Sequence, residues 1–176
     1  MFSAGLHANI CAAQRSTLSV TGGGKQRPDG TFEFLTWELD QELKQGDRLA
    51  FSFEDGTESS PKGELDTEEI PPELKNVDFF APLPEAELSQ LEAREKLNPA
   101  CCWRVTRKGA PDLVTSLDNV RQCMNLQILW NETLPNRIRV SLSKSSLREV
   151  SSQSGGEELF QSYLEIGASI EAHIEI

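Results

Sequence analysis

The stretch SIEAHIEI, residues 169–176, alternates apolar and polar side chains without a break. A period of two belongs to a strand half buried on a sheet, because successive side chains point to opposite faces. The pattern recurs along the chain. Leu6, Ala8 and Ile10 alternate with His7 and Asn9, and Leu18 and Val20 follow. FEFLTWEL carries Phe32 and Phe34, and Leu49, Phe51 and Phe53 alternate with Arg48, Ala50, Ser52 and Glu54. CCWRVTRKG, MNLQILW and RIRVSL add three more runs, the last two joined by a turn at residues 131–136 that contains Pro135. The fold this implies is mainly β: a single-domain antiparallel β-sandwich or bent sheet spanning residues 1–176.

One stretch reads as a helix. PEAELSQLEAREKL, residues 84–97, opens with proline, has Glu85 and Glu87 in its first turn and Arg94 and Lys96 near its end, and stops at Asn98-Pro99. Its apolar side is thin (Leu83, Leu88, Leu91), which places it on the surface. EELFQSYLEIG fits either a strand or a short amphipathic helix. TGGGKQRPDG and SSQSGG read as connections.

Two phrases echo each other. ELKQGDRLAFSFED (42–55) and YLEIGASIEAHIEI (163–176) each place Gly three residues after Leu and then enter an alternating run. Two diverged β-meander halves would produce this, and so would a shared turn grammar in which Gly supplies the positive-φ position. If the final strand lies at a sheet edge, it offers a homodimer contact.

Charge divides the chain. Residues 54–96 hold thirteen acids against four bases, whereas residues 97–148 hold eight bases against three acids, within a net charge of −11. An acidic chain without a concentrated basic face is a poor nucleic-acid binder. No run of about 18 apolar residues exists to span a membrane as a helix. The first residues, MFSAGLHANICAAQRS, lack the basic and apolar regions of a secretory leader, so the expected location is cytoplasmic. There the Asn131-Glu132-Thr133 sequon carries no glycan.

Sites with recognisable chemistry are scarce. Cys11, Cys101, Cys102 and Cys123 have no CxxC spacing, and in a cytoplasmic chain they are expected as buried thiols rather than disulfides. A zinc set of His7, Cys11 and Cys123 matches no recurring spacing. His7 and His173 are expected on the outward faces of their strands. The row Glu171, His173, Glu175 would hold a cation only with help from another strand, since same-face neighbours lie about 7 Å apart. Thr21-Gly-Gly-Gly-Lys25 lacks the spacing of a phosphate loop and reads as a hairpin loop. No catalytic, cofactor-binding or metal-binding set is assigned.

The expected function is a non-enzymatic interaction module of the inhibitor or immunity type. Its acidic Pro/Gly-rich excursion, residues 55–83, would dock a basic protein through Glu64, Asp66, Glu68, Glu69 and Glu73. Two alternatives are a small-ligand-binding β domain whose pocket is lined by Trp37, Trp103 or Trp130, and an enzyme whose site is assembled from unremarkable residues.

Overall fold

The computed structural model describes residues 3–11, 16–26, 32–44, 46–54, 64–65, 81–94, 102–107 and 110–175. Its elements run β1 (Ser3–Cys11), β2 (Thr17–Gln26), β3 (Phe32–Glu42), β4 (Arg48–Ser52), β5 (Glu64–Leu65), α1 (Glu85–Ala93), β6 (Cys102–Arg107), β7 (Ala110–Ser116), β8 (Cys123–Asn131), β9 (Arg137–Ser145), α2 (Leu147–Ser151), β10 (Glu157–Glu165) and β11 (Ser169–Glu175).

The strands form two antiparallel sheets, a larger one in the order β10-β9-β8-β1-β2-β3-β5 and a smaller one in the order β4-β11-β6-β7. Alternation explains why they face each other. Ile138, Val140 and Leu142 of β9 are buried at every second position, as are Met124 and Leu126 of β8, and the register sets Leu126 between Leu142 and Ala8. From the smaller sheet Trp103, Val105, Ile170 and Ala172 turn into the same core. Burying each large aliphatic side chain stabilises the fold by about 1.5–3 kcal/mol. The expected sandwich is therefore present.

The two echoed phrases are the corners where the chain passes from one sheet to the other. Leu43–Asp47 carries it from β3 to β4, and Ile166–Ala168 from β10 to β11. Gly46 and Gly167 sit at φ 83° and 87°, a region closed to most side chains, so glycine is required at both corners. The strands they deliver then pair with each other: Leu49 opposes Ala172 and Phe51 opposes Ile170. Strand β11 is also paired with β6 on its other side, so the edge position needed for a dimer through it is not met.

Several expectations need correction. The glycines of the TGGG stretch are not a hairpin loop; Gly22 and Gly23 pair with both β1 and β3 inside the larger sheet. The ambiguous 157–165 run is strand β10, paired with β9. Strand β7 was not anticipated because Pro111 and Asp112 interrupt its apolar pattern, and an edge strand is where a sheet tolerates proline. Helix α1 ends at Ala93, four residues short of the expected end, with Arg94 already extended. Helix α2 was also missed, although Ser146 and Glu149 form a complete capping box in which each side chain accepts from the other residue's backbone N–H.

The cysteine expectation is overturned at one position. Cys123 is disulfide-bonded, and the residue opposite it in the β1–β8 ladder is Cys11. Cys102, in the other sheet, retains its thiol. Spacing along the chain concealed this juxtaposition, which only the register creates.

Candidate functional surfaces

Of the acidic residues expected to dock a partner, only Glu64 falls within the described part of the chain; Asp66, Glu68, Glu69 and Glu73 lie outside it, as does most of the 55–83 excursion. Glu64 and Leu65 form β5, whose backbone pairs with Thr36 and Leu35 at the outer edge of the larger sheet. The acidic segment thus touches the β3 edge at Glu64 and Leu65. Further along β3 stand three more exposed acids, Glu38, Asp40 and Glu42. Asp40 adopts φ 52° at a register shift; its N–H donates to Ser19 Oγ, and that hydroxyl donates back to Asp40 Oδ1, both at 3.1 Å. Among the described residues no salt bridge reaches Glu38, Asp40 or Glu42.

The bases are distributed differently. Arg104 meets Asp112 at 3.3 Å, Arg121 meets Glu157 at 2.7 Å, and Arg137 meets Glu165 at 3.8 Å. Lys144, with a side chain only 12% exposed, meets Asp118 at 2.7 Å. Arg148 is the most heavily engaged. Its guanidinium donates to both oxygens of Glu85 at 2.9 Å and to both oxygens of Glu92 at 2.8–2.9 Å, locking α1 against α2. Such two-pronged pairing suits the planar guanidinium. Ser151 Oγ, accepting from Leu83 N at 2.7 Å, and the Leu88–Leu147 contact complete the junction. The positive stretch of the sequence is thus largely neutralised within the fold.

Asp118 organises the β7–β8 connection. Besides Lys144, its carboxylate accepts from Val120 N and Arg121 N, and these hydrogen bonds hold its pKa well below the ordinary carboxylate range. Glu85, Glu149 and Glu171 are also lowered, chiefly by hydrogen bonds from Arg148, the Ser146 backbone and Arg48 respectively. A carboxylate with a depressed folded pKa adds stability above its ordinary value, and that stability is lost as pH falls through the folded pKa. The urea midpoint is therefore expected to decline steadily between about pH 5 and pH 2. Asp118→Asn should make that decline shallower; an unchanged slope would mean Asp118 is not held ionised in the folded state.

The two histidines lie in different settings. His7 stands in a polar row that crosses five strands through Ser19, His7, Gln127, Ser141 and Gln161. Its Nδ1 is 3.3 Å from the Gln127 amide nitrogen, and burial lowers its pKa, favouring the neutral ring that accepts from that amide. His173 is flanked across the ladder by Arg48 and Arg104, and Glu171 accepts a hydrogen bond from Arg48. Two cationic neighbours make the anticipated Glu171–His173–Glu175 row unsuited to a metal ion. Among the described residues no group of three or more His, Cys, Asp or Glu side chains is placed to bind one.

The three tryptophans sit in different settings. Trp103 is fully buried in the core. Trp130 packs partly against that core and donates its indole N–H to Pro135 O at 3.0 Å, and Trp37 is half-buried on β3. An open surface pocket of about 360 Å³ lies where the β8–β9 turn meets β10, lined by Asn136, Arg137, Glu165 and Ile166. Sequence alternation reveals inward and outward faces but not which turns meet, so this pocket had no signal in the chain.

Two antiparallel sheets closed over a shared core define the class of the molecule, a β-sandwich with a pair of short helices pinned to its surface. No family model, curated protein or solved structure matches this chain.

Proposed function

We propose that the chain is a non-enzymatic interaction module that docks a basic protein partner through the acidic segment carrying Glu64, Asp66, Glu68, Glu69 and Glu73, in the manner of an inhibitor or immunity protein. One observation carries this reading. Among the described residues Arg48, Arg104, Arg121, Arg137, Lys144 and Arg148 each meet an acid of the fold's own surface, whereas no salt bridge among them reaches Glu38, Asp40 or Glu42 of β3, the strand against which Glu64 pairs. Uncompensated acid of this kind raises the local negative potential and steers a cationic surface toward it.

The test has two stages. A partner is captured on tagged protein, identified, purified and bound again at two salt concentrations. Replacing Glu64, Asp66, Glu68, Glu69 and Glu73 together by lysine is then expected to weaken binding at least about tenfold, with wild-type affinity falling as salt rises. A partner with no basic face, or binding indifferent to the five substitutions, would overturn the reading.

The alternative, a small-ligand-binding β domain, draws on the pocket at Asn136, Arg137, Glu165 and Ile166. That pocket is shallow and charged, unlike the apolar clefts that enclose most small ligands.

A further inference from the structure

The covalent chemistry of the chain lies apart from its acidic edge. Cys123 is the first residue of β8 and is disulfide-bonded. Cys11 is the last residue of β1, and the ladder sets the two directly opposite each other. Directly opposed residues on antiparallel strands have Cα atoms about 4.5–5.5 Å apart, inside the roughly 4.4–6.8 Å window that a disulfide spans. Cys102 pairs in the other sheet, opposite Ser116 and Glu175, and retains its thiol. The environment of Cys123 is equally specific. It packs against the small apolar cluster of Leu88 and Leu91 from α1 and Leu147 from α2, the same junction that Arg148 clamps.

The geometry points to a Cys11–Cys123 disulfide that ties the central strand of the larger sheet to its neighbour and that the α1–α2 pair shields from reductants. Its formation removes two protons and two electrons from the two thiols. A low-molecular-weight disulfide such as oxidised glutathione accepts them: one cysteine thiolate attacks it and expels a thiolate, and the second attacks the mixed disulfide and expels the other. Reduction by a dithiol reverses both exchanges and requires an in-line approach to one of the two sulfurs, which the helix pair obstructs on the Cys123 side. Since reducing cytosol keeps thiols reduced, the oxidised form belongs to an oxidising compartment or to an oxidising episode.

The bond is tested by oxidising the purified chain with glutathione disulfide, denaturing it without reductant, alkylating, and mapping peptides. Two of the four cysteines, Cys101 and Cys102, are expected to alkylate, with a Cys11–Cys123 linked peptide recovered. Cys11→Ser should free Cys123, giving three alkylated positions, and should lower the melting temperature by roughly 10 °C, because the bond closes a long loop. Four alkylated cysteines in the wild type, or a Cys101–Cys123 linkage, would overturn the assignment. The shielding is tested on native protein by the rate of reduction with dithiothreitol. Arg148→Ala is expected to reduce about tenfold faster, with Arg148→Lys between it and wild type because lysine cannot bridge both carboxylates. Equal rates in all three would overturn the shielding while leaving the bond in place.

Discussion

Replacing Trp103 by alanine is expected to lower the unfolding free energy by about 3–5 kcal/mol, the range for deleting a large enclosed aromatic. Trp103 is 0% exposed and lies on β6 between Ile174 of β11 and Thr115 of β7, facing the core shared by the two sheets. The cavity left by alanine would be bordered by both sheets, whose ladders restrict how far the walls can close in. A second substitution separates volume from polarity. Among the described residues the buried Trp103 indole N–H finds no hydrogen-bond partner, and such a group costs on the order of 1–3 kcal/mol. Trp103→Phe removes that orphan donor together with part of the ring, so it should cost markedly less than the lost volume alone implies. Urea denaturation with matched m-values reads both changes. A loss below about 1 kcal/mol for alanine would mean that the ring is not enclosed as described.

The second large effect concerns a backbone contact. Gly156 precedes β10 at the point where it meets the end of β9, and a Cβ there would overlap Ser145 Oγ and the carbonyl oxygen of Lys144. The serine can rotate away; the carbonyl belongs to the strand and cannot. Gly156→Ala is expected to destabilise the protein by about 1–3 kcal/mol through forced separation of the two strands. The adjacent glycine provides the control. Gly155 lies at φ 75° with open space around it, so Gly155→Ala meets backbone strain but no neighbour, and Gly155→Asn relieves much of that strain. If both alanine variants behave alike, and asparagine rescues at 156 as it does at 155, the cost at 156 is conformational rather than steric.

The contrast between strands shows what the sequence makes legible. β4, β8, β9 and β11 announced themselves because one face of each is more enclosed than the other, and that asymmetry is what alternation records. β7 stayed hidden because an edge strand with Pro111 and the surface pair Asp112–Arg104 is selected for its rim rather than for a buried stripe. α2 was present as Ser146-Leu-Arg-Glu149 and could have been found from its capping box alone. Pairing partners are a different matter. LHANIC and CMNLQI match when read in opposite directions, Leu6 with Ile128, Ala8 with Leu126 and Cys11 with Cys123. Many other pairs of alternating runs would match as well, and no local property of the chain chooses among them. The surface features were less legible still. The Arg148 clamp, the Asp118–Lys144 pair and the Arg48–His173–Arg104 row each join segments distant in sequence.

The exchange of strands between remote parts of the chain also fixes an order of events during synthesis. His7 finds Gln127 120 positions away, and Arg48 finds Glu171 123 positions away. Strand β4 therefore leaves the ribosome long before its neighbour β11 exists, and β1 must wait for β8 before the larger sheet gains its middle. Such remote closures fold slowly, on the millisecond-to-second scale typical of β topologies. Throughout translation the nascent chain exposes unpaired apolar strands, and the cell must keep them from meeting each other on neighbouring chains.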